Sequence, residues 1–246
     1  MKIYMAEIGI ISGSGFYDFP GLERVEDRVL ETRFGPAHVR LGVFSGRDIA
    51  FIARHGRGHR ILPNRINYRA NLSALKSLGC SALVSTTICG ICEPTLPLAV
   101  PVVFEDLYFP ENRLPSGEIC SIFDTVGQKE RGHYLFANPF SADLRSQLIR
   151  AGSGTGILAE GVYAQVNGPR FNTAVEVKAL QNFAQFISQT AGPEIVLAGE
   201  LEIPCALLGF GVDYANSVSM QPTPPAVLND NMKKSRTVFL TILKKP

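Results

Sequence analysis

The chain has 246 residues, enough for one large α/β domain or two small ones, with 46% hydrophobic and 19% charged residues; that composition supports a sizeable core and excludes disorder. A net charge of +2, with no basic stripe outside residues 54–69, argues against a nucleic-acid partner. Cys80, Cys89, Cys92, Cys120 and Cys205, an odd count in apolar segments, point to reduced thiols and a cytoplasmic location. No apolar run reaches the roughly 18 residues of a membrane span, and the start, Met1-Lys2-Ile3-Tyr4-Met5, lacks the apolar core of a signal peptide.

In chain order, strand-like runs fall at Ile8–Ile11, Val39–Phe44, Ile49–Ala53 and Ala82–Thr86. Before the last of these, Tyr68, Leu72, Leu75 and Leu78 recur at helical intervals, with Gly79 as the stop. A strand-like run follows at Ala99–Phe104. Glu105–Arg131, rich in proline, glycine and charge, reads as a long functional loop or a subunit contact. A helix is expected over Phe140–Ala151, opening on Ser141-Ala142-Asp143, then a strand at Gly161–Val166 and a helix over Thr173–Phe183. After a short strand at Phe186–Ser188, Pro193 occupies the first position of a helix over Glu194–Leu201. A strand at Cys205–Phe210 precedes a last helix, opened by Pro224-Pro225 and carrying Val227, Leu228, Met232, Val238 and Leu243. Strands alternating with helices imply one α/β domain over residues 1–246. Its twisted, mainly parallel mixed sheet would carry helices on both faces.

Four of these strands stop in small or polar residues, where open α/β sheets bind ligands. Ser12-Gly13-Ser14-Gly15 follows the first. Arg54-His55-Gly56-Arg57-Gly58-His59 follows Ile49–Ala53, and pairs a guanidinium fork suited to phosphate with histidine donors and close-approach glycines. Ser85-Thr86-Thr87-Ile88-Cys89-Gly90 and Ser188-Gln189-Thr190-Ala191-Gly192-Pro193-Glu194 are the other two. In the last, a threonine precedes a helix N-terminus, whose free N–H groups and dipole favour an anion. Each alone is equally an ordinary strand-to-helix turn; together, one of them holding Arg-His, they point to a phosphate site. Cys89-Gly90-Ile91-Cys92 has CxxC spacing. With no second pair or adjacent histidine it does not read as a zinc site, and a redox role would require a lowered thiol pKa.

Ile8–Phe16, Ala53–His59, Asn67-Tyr68-Arg69-Ala70-Asn71, Thr86–Gly90, Asn167-Gly168-Pro169-Arg170-Phe171, Thr190 through Glu194 and Asp213-Tyr214 stand here in an order that resembles the trimeric purine nucleoside phosphorylases. The branch it looks most like is the 5′-methylthioadenosine phosphorylases, and the resemblance runs from about Ile8 to Leu243. It implies that Ser14, Arg54, His55, Thr87 and Thr190 hold inorganic phosphate as a co-substrate, with no metal or organic cofactor. It implies a nucleoside pocket of Ile88, Phe171, Asn172, Gln189, His59, Asp213 and Ala215. Asp213 would face purine N7, Val227 and Leu228 the 5′ substituent, and His133 would be donated by a neighbouring subunit of a homotrimer. Arg54, His55 and Asp213 would carry the chemistry.

The sequence departs from that pattern in the base pocket. Ala215 stands where the adenine-selective branch has a second acid, followed by Asn216. Asn172, Asn167 and Gln189 also replace usual residues, Gln189 a methionine. The substrate expected is 5′-methylthioadenosine or 5′-methylthioinosine; a 6-oxopurine nucleoside phosphorylase, a nucleoside hydrolase or a weakly active nucleoside-binding protein on the same fold are the alternatives.

Overall fold

A computed structural model describes residues 5–127 and 133–245. Residues 1–4, where the expectation about a signal peptide falls, and 128–131, the end of the long irregular segment, lie outside the described residues.

Among the described residues, ten strands form one sheet. The strands β1 (Ile8–Ser12), β4 (Arg47–Ala53), β5 (Ala82–Ile91) and β10 (Cys205–Tyr214) make its centre. β1 pairs in parallel with β4 on one side and β5 on the other, with Ser12 opposite Ala53 and Ile11 opposite Ser85. β10 pairs in parallel with β5, Gly209 opposite Thr87. The carboxyl ends of four parallel strands therefore meet along one edge. β2 (Glu23–Thr32) and β3 (Gly35–Phe44) extend the sheet antiparallel beyond β4. On the other flank β9 (Phe186–Ser188) pairs antiparallel with the end of β5, followed by β8 (Val162–Gln165) and β7 (Asp106–Tyr108); β6 (Pro101–Val103) pairs with β10.

Consecutive residues of the central strands enter different cores. Ile11, Ile52, Leu83 and Leu207 pack with Leu72, Leu75 and Ile195 from helices α1 (Tyr68–Ser77) and α4 (Gly192–Glu200). Ile10, Phe51, Val84 and Leu208 pack with Leu148, Phe239 and Ile242 from α2 (Ala142–Ala151) and α5 (Pro225–Leu243). Burial on both faces is why these strands read as unbroken apolar runs. The helix starts follow their capping residues. Asn67 accepts from the Ala70 N–H at 3.1 Å, Ser141 caps α2, and Thr173 with Glu176 forms a capping box on α3 (Ala174–Leu180). Gly79, at φ +76°, ends the turn after α1.

Several expectations are corrected. β2 was not expected: every residue of Glu-Arg-Val-Glu-Asp-Arg-Val-Leu-Glu-Thr is exposed or half-buried, so this edge strand carries no hydrophobic alternation. The run Ala99–Phe104 shortens to β6, and the irregular segment contains β7. α3 stops at Leu180, leaving Phe183 53% exposed. α4 starts at Gly192, so Pro193 is its second residue. Among the described residues, no helix is long and apolar enough to cross a membrane.

Candidate active site

A cavity of about 450 Å³ opens where the carboxyl ends of β1, β4, β5 and β10 meet. Its wall holds Ser14, Arg54, His55, His59, Thr87, Ile88, Phe171, Asn172, Gln189, Thr190, Asp213, Ala215 and Leu228. The structure thus brings together all the expected site residues except Val227 and His133.

Arg54 follows β4 and is fixed beside β1 by its N–H, which donates to Ser12 O at 2.8 Å. The residue is 1% exposed. Nε donates to Glu194 Oε1 at 2.5 Å and Nη2 to Glu194 Oε2 at 2.7 Å. Nη2 also reaches Ser85 Oγ at 3.0 Å and Thr86 O at 3.1 Å, and Ser85 Oγ donates to Glu194 Oε2 at 2.6 Å. Arg54 is thus half of a buried ion pair. Among the described residues, one nitrogen, Nη1, is buried without a partner, against Gly13, where a Cβ would lie 2.5 Å from it. A buried donor left unpaired is costly, and here it borders a cavity.

His55 differs from the donor expected. Its Nδ1 lies 2.9 Å from Ile61 O, and a carbonyl only accepts, so Nδ1 carries the hydrogen and a neutral ring has Nε2 as an acceptor. Burial and the Arg54 charge push its pKa down to about 4, against the Ile61 hydrogen bond. The ring stacks on His59 at 4.4 Å between centroids, and His59 Nδ1 lies 2.8 Å from the Tyr17 hydroxyl.

The hydroxyls complete this end. Thr87 Oγ1 donates to Ile88 O at 3.1 Å and lies 3.4 Å from Ser188 Oγ; Thr190 is buried. The N-terminus of α4 is not free for an anion, contrary to expectation. Ala191 N donates to the Tyr163 hydroxyl, Gly192 N to Gln165 Oε1, and Pro193 has no N–H.

Asp213 also lines the cavity. The β10–β5 register slips between Gly211 and Asp213, an irregularity of the bulge type that re-aims the following side chain. Burial raises the Asp213 pKa to about 6. Phe171, 80% exposed, flanks the mouth. Gln189 Nε2 donates to Arg170 O at 2.9 Å. Gly168 leaves room for that side chain, since a Cβ there would fall 2.1 Å from Gln189 Oε1. Asn167 Nδ2 donates to Glu111.

Two placements correct the expectation. Val227 is 42% exposed and outside the cavity wall, whereas Leu228 and, one turn later, Met232 line it; the i, i+4 spacing was the available signal. His133 lies in a separate cleft with Tyr134, Phe136, Val196 and Glu200. The CxxC reading also fails. Cys89 borders the cavity and Cys92 is buried, and burial pushes both thiols up, Cys92 to about 12, opposite to a reactive pair. Among the described residues no group of three or more His, Cys, Asp or Glu could hold a metal.

Residues 7–245 match the Phosphorylase superfamily. The chain belongs to this superfamily, and it is an enzyme. Among the superfamily members it resembles, a 6-oxopurine nucleoside phosphorylase of Pyrococcus furiosus is 32% identical over 97% of this chain and 91% of its own. An S-methyl-5′-thioadenosine phosphorylase of Bradyrhizobium diazoefficiens is 35% identical over 97% of this chain and 83% of its own. Among solved structures, methylthioadenosine phosphorylase from Schistosoma mansoni with adenine superposes with a TM-score of 0.84, at 27% identity over 97% of this chain and 89% of that one.

Proposed function

We propose that this phosphorylase cleaves the N-ribosidic bond of a purine nucleoside, 5′-methylthioadenosine or 5′-methylthioinosine, with inorganic phosphate as the second substrate. The observation that carries the proposal is the set of side chains lining one cavity. A buried arginine nitrogen unpartnered among the described residues, a histidine acceptor, three hydroxyl residues and a carboxyl group with a raised pKa share its wall.

Cleavage builds positive charge on the sugar and negative charge on the departing purine. A phosphate held by Arg54 Nη1, Ser14, Thr87 and Thr190, with an O–H turned to His55 Nε2, presents an oxygen to C1′. The C1′–O bond forms as C1′–N9 breaks, and the electron pair leaves on the purine. Asp213, kept protonated longer by burial, donates to N7 and stabilises that leaving group. The products are free purine and (5-methylthio)ribose 1-phosphate. Positioning and electrostatics supply the rate; no metal or organic cofactor takes part.

Leu228 and Met232 supply apolar surface for the 5′ substituent, and Phe171 an aromatic face for the base. His133, outside its own chain's cavity wall, fits a homotrimer in which each subunit completes a neighbour's site. The second reading, a 6-oxopurine nucleoside phosphorylase, is favoured by Ala215, which offers no acid to a 6-amino group. The test is a cleavage screen, with and without phosphate, over adenosine, inosine, guanosine and their 5′-methylthio forms. Phosphate-dependent cleavage fastest on a methylthio nucleoside supports the proposal. Preference for inosine or guanosine selects the second reading, and cleavage indifferent to phosphate refutes both.

A further inference from the structure

The buried carboxylate of Glu194 has no part in the chemistry above, yet it shapes the anion end of the cavity. A guanidinium has five N–H donors in a rigid plane. In Arg54, Nε and Nη2 are committed to Glu194, Ser85 and Thr86 O, and both Glu194 oxygens are engaged in return. The bidentate pairing fixes the plane of the fork. It also fixes which donor is left over, namely Nη1, facing Gly13. Glu194 is 0% exposed and Arg54 1%, so neither can relax toward water. Glu194 enters from the first turn of α4, whose N–H groups at Ala191 and Gly192 are bound by Tyr163 and Gln165. The carboxylate is therefore anchored by the fold, independently of any ligand.

We infer that Glu194 is a positioning residue of the phosphate site, holding Arg54 so that Nη1 alone is presented to the anion, with Gly13 as the gap that keeps that nitrogen reachable. The inference rests on the phosphate-dependent reading above. A Glu194→Gln side chain offers one acceptor and turns an NH₂ toward the guanidinium, so the fork loses its fixed plane. Gly13→Ala places a methyl 2.5 Å from Nη1, too close for the guanidinium to keep its place, and so blocks that donor while leaving the Glu194 side chain unaltered. Gly13 is not in the left-handed region, so alanine adds no backbone strain there.

The experiment measures phosphate KM, nucleoside KM and the rise in Tm caused by inorganic phosphate, in the wild type and both variants. Each variant should raise phosphate KM roughly tenfold or more, the worth of a charge-assisted hydrogen bond. Nucleoside KM should stay within about twofold, and the phosphate-induced rise in Tm should be lost. A merely structural role would not separate the two substrates. Should Glu194→Gln fail to fold, Glu194→Asp, which keeps the charge but withdraws the carboxylate by one methylene, decides. Wild-type phosphate KM and Tm response in a folded variant, or both KM values rising together, overturns the inference while leaving phosphate-dependent cleavage standing. A wild type that cleaves without phosphate, but is stabilised by it through Glu194 and Gly13, overturns the functional reading and leaves the anion site standing. A wild type that phosphate neither serves nor stabilises overturns both.

Discussion

Asn216 Nδ2 donates to the backbone oxygen of Asn172 at 2.6 Å, tying the segment after β10 to the segment after β8 where both line the cavity. Because a carbonyl only accepts, the amide nitrogen must face it, leaving Oδ1 and one N–H for a ligand. Asn216→Asp sets a carboxylate against that carbonyl and breaks the tie. The expected cost is about 1 kcal/mol, roughly a fivefold rise in nucleoside KM, with phosphate KM unchanged. Ala215→Asp should instead shift kcat/KM toward 6-amino purines. Steady-state kinetics with methylthioadenosine and methylthioinosine read both; an unchanged amino-to-oxo preference in Ala215→Asp removes the claim that this edge reads the base.

Asp213 makes stability depend on pH. Its native pKa of about 6 lies above the ordinary 3.8, so the folded state binds more protons and stability falls as pH rises from about 4 through 6. His55 acts oppositely. Lowered from 6.5 to about 4, it contributes stability present above pH 6.5 and lost as pH falls toward 4. Between pH 4 and 6 the two slopes offset each other. Asp213→Asn should lower kcat by about 10²–10⁴-fold yet raise stability at pH 8 by on the order of 2 kcal/mol. It should also expose the histidine slope as a steeper gain from pH 4 to 6.5. Urea unfolding across this range checks both, and a destabilised Asp213→Asn at pH 8 would contradict burial as the cause.

Arg54→Ala strands the Glu194 carboxylate in the core. Removing one partner of a buried pair costs about 3–5 kcal/mol, so Tm should fall by roughly 10 °C along with phosphate binding. A calorimetric Tm within about 2 °C of wild type would mean that water reaches the pair.

The 5′ pocket separates neighbours in sequence. Leu228→Ala should reduce the preference for methylthio over hydroxyl at the 5′ position by about 1–3 kcal/mol. Val227→Ala, outside the cavity, should leave it alone. Equal losses in the two variants would place the pocket elsewhere.

If His133 completes a neighbour's site, His133→Ala and Asp213→Asn subunits, each impaired alone, should regain activity when mixed and reassembled. A His133→Ala trimer as active as wild type would remove the histidine from the site.

The sequence exposes those parts of the protein whose signals are local. α1 is legible from Tyr68, Leu72 and Leu75 with a stop at Gly79, and the buried strands from apolar runs that both cores require. β2 is silent because an edge strand with no buried residue has no pattern to show. Glu194 reads as an acid in the first turn of a helix; its bond to Arg54 joins residues 140 apart and leaves no local trace. The register slip that aims Asp213 follows from how β10 meets β5. The tautomer of His55 depends on where the loop places Ile61 O. Leu228 and Val227 are equally apolar, and only the rotation of α5 against the cavity tells them apart.

The most direct measurement of the central claim is ³¹P NMR of wild-type enzyme with methylthioadenosine and inorganic phosphate, alongside chromatography of the purine. The account predicts a sugar 1-phosphate resonance that grows in step with free adenine, and no cleavage when phosphate is withheld. Free adenine accompanied by unphosphorylated sugar, at a rate indifferent to phosphate, would contradict it.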